Sequence, residues 1–455
     1  MPNRYIEIVP TNVPSNGKIS FKDGHPVIQF MIGASDHLLL GSSIRLCGDF
    51  QCFLSTANVG ANRGTPPTNA DQLFADPKTG IYGTIDQLVV KNVGQFSTIE
   101  HIRSYNRMMA SYIPATSSVT DCLGHFGETS LTMPNVKGMK TSVVNYSGNN
   151  TGVDVRKNAF SCHLPCGMFN GQQPIFLGRN GVNGIILELH LAPDANFFYQ
   201  GNNALDTSAI QDAYYEFSNL KLTAELVEPD AATLSSLNSA GGSTYTYNSI
   251  SSYYTSVNSA LSVINFNLGL RNVLGGWMNF LPAVNINNWR FNGLDTRHLH
   301  NSTTTPAGDN LTAQSAPAFV KNLTFTRGGQ KFPNNFDTET LNKKTPSNLL
   351  TDPAVQRQFM NAIVQFSKPS RTCADPFNSA MTTDVSDAFA LYTGSVTGIG
   401  MAYDQVSGQG VDFSSQNFGV QVDCNLVTDS PVGVFLFIHS KQTLVFNGSG
   451  LQIIK

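Results

Sequence analysis

Alternation of apolar and polar residues with a period of two is the feature that most constrains this chain. It is plainest in the segments 44–52, 185–191 and 220–226. Successive side chains of a strand point to opposite faces of a sheet, so each segment predicts an antiparallel strand with one buried face. The residues that we expect on the buried faces are Ile44, Leu46, Phe50 and Cys52 in the first segment, Ile185, Leu187, Leu189 and Leu191 in the second, and Leu220, Leu222, Ala224 and Leu226 in the third.

Long intervals rich in Gly, Pro and Asn separate these strands. They cover residues 54–82, 114–182, 298–318 and 367–430. So much loop is unusual in an α/β enzyme and favours an all-β sandwich with elaborated loops.

Two segments have helical signals. Ser97 and Glu100 have the spacing of a capping box, and Ile99, Ile102 and Met109 would then share one face. The second helix is predicted to begin at Asp352–Pro353, an N-cap followed by proline at the first helical position. Its apolar face would contain Val355, Phe359, Ile363 and Phe366. Both patterns predict amphipathic helices lying on a sandwich.

Four short matches between the two halves of the chain indicate an internal duplication. They occur in the same order and are separated by 235 to 255 residues. The pairs are 44–49 with 289–295, 88–96 with 323–332, the helix starts at 98 and 353, and 184–190 with 433–439. We therefore predict a first unit over 1–229, a flexible Ser/Gly-rich linker over 230–243 and a second unit over 244–455.

Charge and hydropathy limit the possible functions. Charged residues make up 13% of the chain, against about 25% in ordinary soluble proteins. The 28 basic and 31 acidic residues give a net charge of -3, which argues against sequence-specific nucleic-acid binding. A surface poor in Lys and Glu favours burial against other copies of the chain. We expect neither a signal peptide nor a transmembrane segment, because the longest apolar run is only 434–438.

Histidine and cysteine pairs are candidates for metal or catalytic sites. His298 and His300 lie two apart, as in a metal-binding strand, but no carboxylate follows in 301–305, so an ordinary polar loop is favoured. The group Cys162, His163 and Cys166 has no second cluster, which favours buried thiols over zinc. Cys373 and Cys424 stand alone, and His190 and His439 end two similar strands. We therefore assign no catalytic, cofactor-binding or metal-binding residue.

Three sequence segments resemble those of a known family: 98–106, 217–227 and 327–333. Together with the duplication, they make the chain similar to the double jelly-roll major capsid proteins of the adenovirus, virophage and Polinton-like virus lineage, most of all Polinton-like viruses. The resemblance implies an all-β fold of two tandem eight-stranded antiparallel jelly rolls, each with a short helix. The segments 114–182 and 367–430 would form outward towers.

The same resemblance implies a function in assembly. Three chains would form a homotrimeric, pseudo-hexameric capsomer, and capsomers would form an icosahedral shell around a dsDNA genome. Its partners would be further copies, penton proteins and minor capsid proteins. Its location would be the virion, after synthesis in the host cytosol, with no cofactor and no catalytic activity.

Two other functions remain open from the residues alone. Aromatic and Asn-rich loops would also suit a tandem β-sandwich protein that binds carbohydrate or serves as a viral attachment spike. His298 and His300 would be the starting point for a metal-dependent sandwich enzyme.

Overall fold

The structure is a computed structural model. It describes residues 3–53, 73–75, 79–116, 158–171, 173–200, 213–239, 243–259, 261–283, 286–289, 293–294, 319–332, 361–363, 399–403, 409–425, 431–447 and 450–455.

Strands dominate both halves of the described chain. The first half contains β1 (Asn3–Ile8), β2 (Lys18–Ile19), β3 (Val27–Ile32), β4 (Leu38–Phe53), β5 (Leu73–Ala75), β6 (Ile85–Asn92), β7 (Thr98–Arg103), β8 (Asn158–His163), β9 (Ile175–Phe176), β10 (Ile185–Leu191), β11 (Phe198–Gln200) and β12 (Tyr214–Val227). The second half contains β13 (Ser243–Val257), β14 (Leu261–Phe266), β15 (Val273–Pro282), β16 (Phe319–Arg327), β17 (Gln330–Lys331), β18 (Ile399–Ala402), β19 (Phe418–Asn425), β20 (Val432–Asn447) and β21 (Gly450–Ile454).

Helices are few and short. They are α1 (Tyr105–Thr116), α2 (Gly167–Asn170), α3 (Asp194–Phe197), α4 (Ala231–Leu237) and the 3-10 helix Gly80–Thr84, and residues 361–363 are also helical.

The two halves have the same strand order. In the first half one sheet runs β1-β12-β4-β8, with β2 and β9 added, and the other runs β3-β10-β6-β7. In the second half the sheets run β13-β20-β15-β18, with β21 added, and β14-β19-β16-β17. If the eight main strands of each half are numbered along the chain, both halves read 1-8-3-6 and 2-7-4-5. This order is that of a jelly roll, so the fold is a double jelly roll.

The predicted strand faces are confirmed. Ile44, Leu46, Phe50 and Cys52 are all at most 2% exposed, whereas Arg45 and Asp49 on the other face are half-buried. The inward residues of 185–191 and 220–226 are buried in the same way. Each first-half sheet contributes one apolar face, and the two faces form the core between them.

The prediction that Ser97 and Glu100 form a capping box is wrong. Residues 98–103 form strand β7, and the helix begins only at Tyr105, after Ser104 with a φ of 52°. The backbone carbonyl of Ser104 accepts the first helical bonds, from the N–H groups of Arg107 and Met108. Glu100 does not cap this helix, because its carboxylate binds backbone groups elsewhere in the fold. Of the second predicted helix, Ile363 is helical and buried, and the other named positions lie outside the described residues.

The duplication is confirmed by the topology. One of the sequence matches pairs equivalent strands and two do not, while the helix start at 353 lies outside the described residues. Residues 88–96 and 323–332 cover the fourth strands and the turns that follow. In contrast, 184–190 belongs to a seventh strand and 433–439 to an eighth, and 289 lies beyond β15, the true equivalent of β4. The apolar pattern alone does not distinguish one buried strand from another, which explains these errors.

Three of the predicted loop intervals contain regular structure. Strand β5 and the start of the 3-10 helix lie in 54–82, strands β8 and β9 lie in 114–182, and β18 and β19 lie in 367–430. Residues 298–318 lie outside the described part. The linker 230–243 contains helix α4, whose N-cap Asp230 accepts a hydrogen bond from Thr233, so it is not uniformly flexible. We keep the division into 1–229, 230–243 and 244–455 as a proposal.

Candidate functional site

Helix α1 lies between the two rolls. Its residues Tyr105, Met108, Met109, Tyr112 and Ile113 are buried at the spacing of one helix face, but Asn106, Arg107 and Ser111 on other faces are also at most 5% exposed. A helix that is buried on every side requires cover from two directions. The first roll covers one side and the second roll the other, so the contact between the rolls, which we call the inter-roll interface, is a candidate functional site.

A buried carboxylate, that of Glu100, lies at the inter-roll interface. Glu100 is 2% exposed, and its Oε1 accepts hydrogen bonds from the backbone N–H of Gly167 (3.0 Å) and of Ile250 (2.8 Å). Its Oε2 accepts the N–H of Met168 at 3.0 Å. The Ser249 hydroxyl donates to Oε1 at 3.2 Å. One side chain therefore joins β7 and α2 of the first roll to β13 of the second.

Burial and hydrogen bonding act in opposite directions on the Glu100 carboxyl. Desolvation raises the pKa of Glu100 above its usual value, and the amides of Ile250, Met168 and Gly167, with the Cys166 side chain, hold it down. A carboxylate that accepts several N–H bonds can remain charged inside a protein. The geometry is therefore that of a satisfied buried anion.

Two tyrosines extend this network. The Tyr247 hydroxyl donates to the Ile99 carbonyl at 3.2 Å, and the Tyr245 hydroxyl donates to the Met168 carbonyl at 3.0 Å. Both belong to β13 and reach across to first-roll backbone. Desolvation raises the pKa of both phenols, so they remain neutral donors.

Gly167 allows the rolls to approach. A Cβ at this position would lie 2.6 Å from the Ser249 Cα and would overlap the Asn248 carbonyl oxygen. These are backbone atoms of β13, which cannot move without shifting the strand. A glycine is therefore needed here for the close contact.

A second polar contact joins α1 to β15. The Asn279 Nδ2 donates to the Arg107 carbonyl at 2.8 Å, and the Ser111 hydroxyl donates to Asn279 Oδ1 at 2.6 Å. Asn279 is 2% exposed. Its amide therefore uses both its donor and its acceptor between the rolls, as expected of a buried polar group.

Further contacts lie along the same interface. The Asn287 N–H donates to Asn196 Oδ1 at 2.9 Å, and the rings of Phe198 and Trp289 stack with centroids 6.5 Å apart. At another edge the Leu451 N–H donates to Gln95 Oε1 at 3.2 Å. The contact between the rolls is thus extensive and partly polar.

Cys162 and Cys166 lie in the core. Cys162 and Cys166 are buried free thiols, and desolvation raises the pKa of both. Cys166 belongs to the Glu100 network. Cys373 lies outside the described residues, and of Cys424 the structure places only the backbone, in β19.

His190 and His439 are not brought together. His190 lies at the half-exposed end of β10 within 4.0 Å of Glu188, whereas His439 is fully buried in β20. They occupy non-equivalent strands, the seventh and the eighth. His298 and His300 lie outside the described residues. Within the described ranges, no group of three or more His, Cys, Asp or Glu residues is placed to hold a metal ion.

Sequence reasoning missed the role of Glu100. The available signal was an acidic residue at an inward position of an apolar strand, between Ile99 and Ile102. Such a residue needs buried partners, but nothing local shows that they come from 67 and 150 residues further along the chain.

No known protein family matches the sequence, and no curated protein sequence matches it. Solved structures do match. The PBCV-1 VP54 structure fitted into a reconstruction of the virophage Sputnik has a TM-score of 0.56 at 11% identity, over 100% of this chain and 97% of that one. The Faustovirus major capsid protein gives 0.55 at 8% identity, over 98% and 90%. The Sputnik virophage structure solved by cryo-EM gives 0.54 at 12% identity, over 100% and 88%.

These similarities extend over nearly the whole chain, so they include both rolls and their relative placement. At such low identity they show the fold. They confirm the double jelly roll that the sequence resemblance implied. In the described part of the chain, no helix is long and apolar enough to cross a bilayer.

Proposed function

We propose that the chain is a major capsid protein that self-assembles into homotrimeric, pseudo-hexameric capsomers of an icosahedral shell around a dsDNA genome. The observation that supports this most is the whole-chain match to capsid proteins, which covers 97% of PBCV-1 VP54 and 90% of the Faustovirus protein.

The geometry gives a physical reason for this function. Two rolls of the same strand order, fixed side by side, present two similar lobes. Three such chains around a closed three-fold axis present six lobes, so a trimer fills a six-fold position in a lattice. The arrangement works only if the rolls keep one relative orientation. The inter-roll interface, with its buried Glu100 and Asn279, supplies that rigidity.

The same proposal determines partners and location. The partners are further copies of this chain, with penton and minor capsid proteins at other lattice positions. The location is the virion, after synthesis in the host cytosol. A net charge of -3 gives no reason to expect sequence-specific DNA binding. We propose a structural function, not a catalytic one, because the fold matches capsid proteins. The narrower similarity to Polinton-like viruses stays a prediction.

The experiment is to determine the mass and shape of the purified full-length chain. Light scattering after size exclusion should give three times the 49.2 kDa of one chain at micromolar concentration. Negative-stain images should show particles with a hexagonal outline and three-fold symmetry. A stable monomer that binds glycans on an array would instead favour a carbohydrate-binding or attachment protein and would contradict the capsid proposal.

A further inference from the structure

Strand β14 is an open edge of a second-roll sheet. Among the described residues it pairs with β19 alone. Leu261 and Val263 face outward and are 60% and 65% exposed, whereas Ile264 and Phe266 face the core. The strand contains neither a charged residue nor proline, which are the residues that usually prevent pairing at an edge. An edge of this kind is suited to pairing with a further strand.

The equivalent edge of the first roll is closed. Strand β3 is the second main strand of its roll, as β14 is of the second roll. The Asn12 side chain accepts the Gln29 N–H at 2.9 Å and donates to the Val27 carbonyl at 2.6 Å. The Thr11 N–H donates to the Gln29 carbonyl at 2.7 Å. Residues that precede β3 thus occupy the place of a further strand.

Strand β14 has no cover of this kind in the part of the chain that the structure describes. Outside its ladder with β19, its hydrogen bonds there involve only Ser259, which binds the Leu261 carbonyl and the Ser262 side chain. In an antiparallel strand, every second residue directs its N–H and C=O away from a given neighbour. Backbone groups of β14 are therefore available to another strand.

The occupant that fits β14 is an extended, uncharged strand with apolar side chains at alternate positions. Such a strand supplies backbone groups to the edge and apolar contact to Leu261 and Val263. The nearest charged residues along the chain are Asp230 and Arg271, so β14 itself offers no charge to an acidic or basic partner. A second β14 meets each requirement. An antiparallel pair with its two-fold axis at Ser262 places Leu261 of each copy opposite Val263 of the other.

We propose that β14 pairs with β14 of a second copy of the chain, so that two second-roll sheets join edge to edge. A two-fold contact cannot be the contact that closes a three-fold ring. It therefore joins chains of different trimers, and this step rests on the proposed capsomer. Two short strands bury much less than the roughly 1,200 Å² of a stable interface, so the contact gains strength when several copies act together.

The first test measures the mass of the full-length protein against concentration by light scattering. We expect the smallest unit in solution, which we call the basic unit, to associate further between about 10 and 100 µM. Val263→Lys places a charge on the edge and should weaken this association about ten-fold, without changing the basic unit. Met31→Lys is the matched control, because Met31 is an exposed residue of the closed edge strand β3. It should associate as the wild type does. Equal association of all three proteins would overturn the proposal.

A disulfide tests the register of the pair. The two Ser262 residues would face one another across the axis, with Cβ atoms about 4.5 to 5.5 Å apart. Under mild oxidation, Ser262→Cys should therefore give a covalent dimer on a non-reducing gel. Adding Val263→Lys to this variant should abolish the dimer. The same yield with and without the lysine substitution would contradict the pairing.

Hydrogen exchange of the wild-type protein does not depend on any variant folding. Amides within 261–265 that point to the free edge should exchange fast at about 1 µM and several-fold more slowly at about 100 µM. Slow exchange of all these amides at both concentrations would mean that another segment of the same chain covers β14, and would overturn the proposal. A basic unit of one chain would contradict the capsomer, whereas protection of β14 that depends on concentration would still support the pairing.

Discussion

The Oε1 atom of Glu100, in the first roll, lies 2.8 Å from the backbone nitrogen of Ile250, in the second. The same carboxylate also accepts the N–H groups of Gly167 and Met168. Its hydrogen bonds are complete only when both rolls are in place, because β7, α2 and β13 each contribute atoms. The first roll alone would leave the carboxylate without its Ile250 and Ser249 donors. The folding of the two rolls is therefore coupled through this residue.

Replacement of Glu100 by Gln tests this coupling. The amide has the size of the carboxyl, but its NH₂ group would face backbone N–H donors that it cannot satisfy. We expect the free energy of unfolding to fall by about 2 to 4 kcal/mol, measured by urea denaturation at pH 7. Glu7→Gln makes the same chemical change at a side chain that is 65% exposed and should alter stability by less than about 0.5 kcal/mol. An equal loss in both variants would contradict the role of Glu100.

Gly167→Ala tests the close approach of the rolls. The new methyl group would overlap backbone atoms of Asn248 and Ser249, so β13 must move away. We expect a loss of about 2 to 4 kcal/mol and, in calorimetry, separation of one unfolding transition into two as the rolls uncouple. Gly33→Ala is the control, because nothing lies within 4 Å of a Cβ there. A single unshifted transition in Gly167→Ala would show that the interface tolerates the methyl group.

The strands were predictable because their signal is local. Burial of every second residue follows from the geometry of an isolated strand, and the faces of 44–52, 185–191 and 220–226 were predicted correctly from it. The presence of two similar units was also detectable from the sequence, because the two rolls have their strands in the same order. The match of 88–96 with 323–332 is correct for this reason.

The inter-roll interface was not predictable, because its signals are not local. Ser97 and Glu100 have the spacing of a capping box, yet tertiary donors from Gly167 and Ile250 take the carboxylate and β7 forms instead of a helix. The pairing of 184–190 with 433–439 failed because inward-facing apolar strands resemble one another whatever their place in a sheet. The period-two alternation of apolar residues is visible within one strand, but the order of strands in a sheet depends on which strands are neighbours.

Asp194 should make the protein less stable as the pH rises. It is 9% exposed, and desolvation raises its pKa to about 7. The folded state therefore binds a proton that the unfolded state has lost between about pH 4 and pH 7, so stability falls across this interval. Asp194→Asn keeps the Oδ1 that accepts the Tyr215 N–H and removes the ionisation. We expect a gain of about 1 to 3 kcal/mol at pH 8 that disappears near pH 4, by urea denaturation.

The control for this prediction is Asp230→Asn. Asp230 is an exposed N-cap, and asparagine caps a helix as well as aspartate does. We expect no comparable gain at pH 8. A gain in both variants would point to a general effect of net charge instead of the burial of Asp194.

His439 should have the opposite dependence on pH. It is fully buried in β20, and desolvation lowers its pKa to about 4. Between about pH 6.5 and pH 4 the unfolded state binds a proton that the folded state does not, so acidification removes stability. The wild-type chain should lose roughly 3 kcal/mol of unfolding free energy through this residue across the interval. We expect His439→Gln to lack this loss and so to have a smaller slope of unfolding free energy against pH. His190→Gln, at a side chain that is 33% exposed, should keep the wild-type slope. If the two variants have the same slope, burial of His439 does not cause the acid sensitivity.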